Sequence, residues 1–94
     1  MIKHIVMWKL KDGINHAEIA SKIKAELEGL EGKIEGLSDV LVCIDRDPSG
    51  LCLISTLKDW DALAGYRDNP YHVAVADTYV RPFVQSRQAV DYEY

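Results

Sequence analysis

An α+β fold, with four strands and two helices in the order β-α-β-β-α-β, is predicted by three observations. Residues 2–10, 39–46 and 51–57 are rich in β-branched and apolar side chains, whereas residues 15–31 repeat theirs at helical spacing. Turn chemistry separates the segments: Asp12-Gly13 after the first, Asp47-Pro48-Ser49-Gly50 between the second and third strands. In the first strand the middle of both faces is apolar, which a sheet with one wet face would not show.

The elements follow in order. In strand one, residues 2–10, His4, Val6, Trp8 and Leu10 share one face; Ile5 and Met7 share the other, with Lys3 and Lys9 at its ends. The helix over 15–31 starts at Asn15, a good N-cap, and Glu18 three residues later resembles a capping box. Its apolar stripe is Ile19, Ala20, Ile23, Leu27 and Leu30; Ser21, Lys22, Lys24 and Glu28 fall off that stripe and are expected in solvent. Gly29 and Gly32 mark its end. Strands two (39–46) and three (51–57) form a hairpin. Asp59 caps a helical segment over Trp60 to Tyr66, with Trp60 covering core. Asp68-Asn69-Pro70 interrupts it, since Asn suits an N-cap and Pro the first helical position. A second segment runs from there to about Val80, and Pro82 ends or kinks it. Residues 87–93 are strand four. This order is the ferredoxin-like, split βαβ arrangement: an antiparallel four-stranded sheet, order 4-1-3-2, with helices on one face. The other face, carrying Ile5, Met7, Cys52, Ile54 and Thr56, is left apolar and open, which predicts a homodimer packed sheet to sheet.

The chain has 94 residues, 11 Lys and Arg against 15 Asp and Glu, a formal net charge of −4 and 48% hydrophobic residues. One domain over 1–94 suits a length near the common range of about 100–150 residues. A monomer this small buries little more than about 60% of its unfolded surface, so its core is thin. The acidic balance, with no Lys/Arg cluster, argues against nucleic acid. The longest apolar run, Val40-Leu41-Val42-Cys43-Ile44, falls far short of the ~20 residues that span a membrane. Met1-Ile2-Lys3-His4 enters the strand pattern directly, without the layout of a secretory leader. Cys43 and Cys52 have neither CxxC spacing nor a His at zinc-site spacing, so they read as reduced thiols packed in strands. A cytoplasmic location is expected.

Two groups of residues can carry chemistry. Tyr66 closes the first segment of the broken helix and His72 lies in the first turn of the second, so the break points both into one space between helix and sheet. A His at a helix N-terminus stays neutral and is a usable general base; a Tyr hydroxyl beside it can hold a carbonyl or developing oxyanion. The same pattern is met where His72 is a cap or interface residue and Tyr66 is core. His4 faces inward with Val6 and Trp8, and strand pairing sets Asp91 opposite it, where a carboxylate can fix the imidazole tautomer; a lone inward His is also often a core residue. Tyr79 and Phe83 fall on the His72 side of the helix and are expected to wall a pocket or to pack in the core. No phosphate loop, nucleophile elbow, HExxH or metal-ligand cluster is present.

Three stretches resemble one family, the stress-responsive dimeric α/β-barrel (A/B barrel) proteins. They are the opening Met1 to Leu10, the block Tyr66-Arg67-Asp68-Asn69-Pro70-Tyr71-His72, which is similar to that family's Tyr-x-x-His/Asn-Pro-x-His motif, and the ending Ser86 to Glu93. The resemblance implies a ferredoxin-like protomer whose dimer closes a barrel, with itself as partner and a small organic ligand as the second. It extends distantly to olivetolic acid cyclase, a plant polyketide cyclase that runs an intramolecular aldol condensation without cofactor. Its catalytic Tyr and His resemble Tyr66 and His72, and its pocket His resembles His4. Any enzymatic activity implied is therefore cofactor-independent and cyclase- or lyase-like, with His72 as base and Tyr66 holding the carbonyl. The alternative is a non-catalytic, stress-associated structural or chaperone-like dimer.

Overall fold

In the computed structural model, which describes residues 1–94, β1 (Ile2–Leu10) lies inside a four-stranded antiparallel sheet. Its neighbours are β3 (Gly50–Leu57) and β4 (Val84–Glu93), and β2 (Leu37–Ile44) flanks β3 at the far edge. Three helices, α1 (His16–Glu28), α2 (Trp60–Asp68) and α3 (Pro70–Val75), complete the chain. None is long and apolar enough to cross a membrane.

Strand register builds the core. On the helix side Val6 lies beside Leu53, which lies beside Val42; Trp8 follows with Leu51, and Ile2 with Leu57. These residues are buried against Ala20, Ile23 and Leu27 of α1 and Leu63 of α2. The start of α1 follows its sequence, with the Asn15 side chain accepting from the Glu18 backbone N–H at 3.1 Å. The helix stops at Glu28, short of residue 31, and the chain continues in turns to Gly36.

Four expectations need correction. Lys24 and Glu28 are not simply solvated. Glu28 Oε2 accepts from the Val42 N–H at 2.9 Å, and Lys24 Nζ donates to the Val42 carbonyl at 2.6 Å and to Glu28 at 2.7 Å. The pair thus satisfies the outward backbone groups of an edge strand, which otherwise stand unpaired. Lys24, with the Val42 N–H, holds the Glu28 carboxyl below its usual range against the cost of burial. Thr56 lies on the outer face as expected but is buried there rather than open, accepting from Lys3 Nζ at 2.7 Å. Trp60 is 48% exposed, so it covers no core. Strand four begins at Val84, three residues earlier than expected, because Val84 pairs with Leu10 across an irregularity in the register.

The remaining outer face is as apolar as expected. One row crosses all four strands, Leu41, Ile54, Ile5 and Val90, with Met7 and Cys52 beside it. Leu41, Met7 and Val90 are among its exposed members. Beyond β4 the sheet has no further strand, so one edge ten residues long carries no partner within the chain.

Gly36 shows how closely the layers meet. Its φ is +81°, and a Cβ there would stand 2.6 Å from Ala62 Cβ in α2. The Gly36→Ala substitution is expected to cost about 2 kcal/mol or more, from the left-handed backbone and the overlap together. Gly13 has φ +80° with nothing within 4 Å, so Gly13→Ala should cost only the backbone part, about 1–2 kcal/mol. Urea midpoints of the two variants check this; equal losses would show that the contact with Ala62 is harmless.

Candidate functional site

The site begins with a helix break. Asn69 ends α2 through its N–H to the Tyr66 carbonyl and starts α3 by accepting from the Tyr71 N–H at 2.9 Å. Its backbone is extended, as a residue before proline prefers. Pro70 then opens α3, where a missing N–H costs nothing. The turn brings the Tyr66 and His72 rings to 4.3 Å between centroids, tilted by 39°. His4 lies on the other side of Tyr66, at 6.0 Å and edge-on.

Past Val75 the helix widens. Residues Ala76–Val80 form a π turn and Arg81–Phe83 a 3₁₀ turn. Pro82 is the cause at hand, since it offers no donor to the preceding turn and its ring crowds the carbonyl four residues back. Between this widened segment and the sheet lies a cavity of about 560 Å³. Its apolar wall is Val6, Trp8, Leu27, Leu53, Ala76, Val80 and Val84; its polar lining is His4, His72, Asp68, Arg67, Arg81 and Arg87.

Both histidines are held by Nδ1. His4, 3% exposed, sits opposite Asp91 in the β1–β4 register, and its Nδ1 bonds the Asp91 carboxylate. The other Asp91 oxygen accepts from Arg67 Nη2 at 2.5 Å, so one carboxylate ties β1, β4 and α2 together. His72 Nδ1 lies 3.2 Å from the Arg67 carbonyl. A carbonyl only accepts, so Nδ1 carries the hydrogen and Nε2 keeps its lone pair. Burial lowers the His72 pKa from its ordinary 6.5, the Arg67 carbonyl opposes this, and Arg81, His4 and Arg87 lower it further. The imidazole is thus neutral at pH 7 because of burial and cationic neighbours, rather than the end of a short helix.

Tyr66 is fully buried and does not line the cavity; its ring backs both histidines. Neither its hydroxyl nor that of Ser55, which neighbours His4 across the strands, has a hydrogen-bond partner. Burial raises the Tyr66 pKa, with the nearby Ser55 hydroxyl opposing the shift. Of the residues expected to bind ligand, His4, Val6 and Trp8 line the cavity, and Asp91 acts from behind His4. Tyr79 and Phe83 do not line it. The Tyr79 ring lies under Lys22 at 5.3 Å, and Phe83 packs on the core edge while its carbonyl accepts from the Lys11 N–H. The extra residue per turn in Ala76–Val80 rotates both away from the His72 side. Arg67, Arg81 and Arg87 were not anticipated; the parity that places Asp91 beside His4 also places Arg87 beside Trp8.

The sequence profile of the stress responsive A/B barrel domain matches residues 2–94. A dimeric ferredoxin-like protein of unknown function from Bacteroides fragilis is 28% identical, with a TM-score of 0.88 over 99% of this chain and 95% of its own. A dimeric ferredoxin-like protein from Thermobifida fusca is 21% identical, with a TM-score of 0.84 over 99% and 90%. A Nitrosomonas europaea protein, described as a candidate antibiotic biosynthesis monooxygenase, is 17% identical, with a TM-score of 0.83 over 100% and 98%. The last two likenesses speak for the fold alone. No curated protein matches the chain.

The lowered pKa of His72 makes a prediction about stability. The unfolded chain binds that proton more readily than the folded one, so the neutral site's contribution is complete above pH 6.5 and is lost as pH falls below it. His72→Gln should flatten the fall in melting temperature just below pH 6.5. An unchanged slope in thermal melts would assign it to other groups.

Proposed function

The chain belongs to the stress responsive A/B barrel domain family, and we propose that it works as a homodimer whose cavity binds a small organic ligand and performs acid/base chemistry on it, of a polyketide cyclase-like kind. The observation that carries this reading is the pair of histidines, each fixed at Nδ1, on the wall of one cavity that is apolar on one side and charged on the other. Two imidazoles held this way are bases with fixed orientation.

The chemistry assigns roles as follows. His72 Nε2 takes a proton from the carbon beside a substrate carbonyl. The resulting enolate carbon attacks a second carbonyl of the same molecule, forming one carbon–carbon bond. The alkoxide produced then takes the proton back from the His72 imidazolium. Tyr66, buried behind both histidines and outside the cavity lining, backs their rings and does not touch the ligand. His4, set by Asp91, orients that end of the ligand. No step draws on a cofactor.

The dimer is supported by the Leu41–Ile54–Ile5–Val90 row and by relatives described as dimeric. This face is opposite the cavity, so pairing leaves the histidines accessible.

Two outcomes are expected. His72→Ala should slow the cyclisation of a short linear polyketide acid by about 10²-fold or more, followed by chromatography of the cyclic β-hydroxy ketone, while the dimer mass stays the same. Undiminished turnover would sink the assignment of the base. Ile54→Asp should place a charge in the centre of the apolar row and give a folded monomer by light scattering; a persistent dimer would move the interface elsewhere.

A further inference from the structure

The charge of the cavity is opposite to that of the chain. The protein carries a formal −4, yet the cavity is lined by three arginines and one carboxylate, Asp68. Two of the arginines are engaged: Arg67 with Asp91, and Arg81 with Asp77 on its own helical turn. Arg87 has no ion-pair partner. It lies on β4 directly beside Trp8 of β1, on the helix side of the sheet, where the apolar wall ends. Arg81 and Arg87 are both close enough to His72 to disfavour its proton. A guanidinium is a rigid, planar fork of donors that matches a carboxylate with two parallel bonds. An unpaired one at the lip of an apolar cavity is a site for an anionic head on an apolar body.

We propose that the cavity selects a monocarboxylate with an apolar body, its carboxylate held by Arg87 with Arg81 and its body lying on Trp8 and Val6. This rests on the reading of the cavity as a ligand site and adds the class of ligand. It also has a consequence for the base. A carboxylate between these arginines and His72 cancels the positive field that weakens the imidazole, so the substrate itself makes His72 a stronger base. By linkage, the anion and the His72 proton favour each other's binding.

The test uses the full-length dimer and three probes: phenylacetate, its neutral analogue phenylacetamide, and inorganic phosphate. Binding is followed by the His72 ring proton signals in NMR titrations. Phenylacetate is expected to bind at least tenfold more tightly than either other probe and to raise the His72 pKa. Arg87→Gln should remove that preference by weakening phenylacetate about tenfold without affecting phenylacetamide; Arg87→Lys, which keeps the charge, should retain part of it. Equal binding of acid and amide overturns the carboxylate selection and leaves the cavity reading standing. Phosphate binding as tightly as phenylacetate overturns the requirement for an apolar body. If no probe shifts the His72 signals, the cavity reading itself fails and this inference with it.

Discussion

Proline lacks a backbone donor, and the site depends on where two of them fall. Pro70 begins α3 immediately after Asn69 has ended α2, so the chain changes direction without leaving a buried N–H unpaired. Had the helix run straight on, Tyr66 and His72, six residues apart, would lie on different faces. Instead their rings are in contact. Pro82 acts from the other end: the turns before it loosen, and the space they open is the cavity. The site is the gap between two places where regular helix is not possible.

The gap is held in shape by polar groups that reach across elements. Asp91 is the centre of this, with one oxygen on His4 and the other on Arg67, while the Arg67 carbonyl holds His72. Both imidazoles are therefore oriented through a single residue of α2, and that residue is placed by a carboxylate on an edge strand. The two hydroxyls left without partners, on Tyr66 and Ser55, lie behind the same assembly. Full satisfaction would make this region rigid core; the two free groups distinguish it from the rest of the interior.

Much of this was legible in the sequence because strands keep strict parity. His4 and Asp91 were placed together by alternation alone, and the apolar outer row by the same rule. Arg87 obeys that rule equally, which sets it beside Trp8. Strand four, expected over 87–93, reaches back to Val84 because pairing with β1 extends it. Helical spacing failed where the helix is not α. Counting 72, 76, 79 and 83 assumes 3.6 residues per turn, and the π turn breaks that count between Ala76 and Val80, which moves Tyr79 and Phe83 out of the site. Lys24 and Glu28 were misjudged for a different reason: whether a charged pair faces water or an open strand edge depends on which strand lies at the edge, and that is a property of the whole sheet.

The two edges of that sheet are not equivalent. At β2 the outward groups of Val42 are occupied by Lys24 and Glu28. At β4 they are bare along ten residues. The two edges therefore differ in how readily each takes a further strand. One lysine and one glutamate on α1 thus guard the middle of β2, at Val42, against pairing with the strand of a neighbouring molecule.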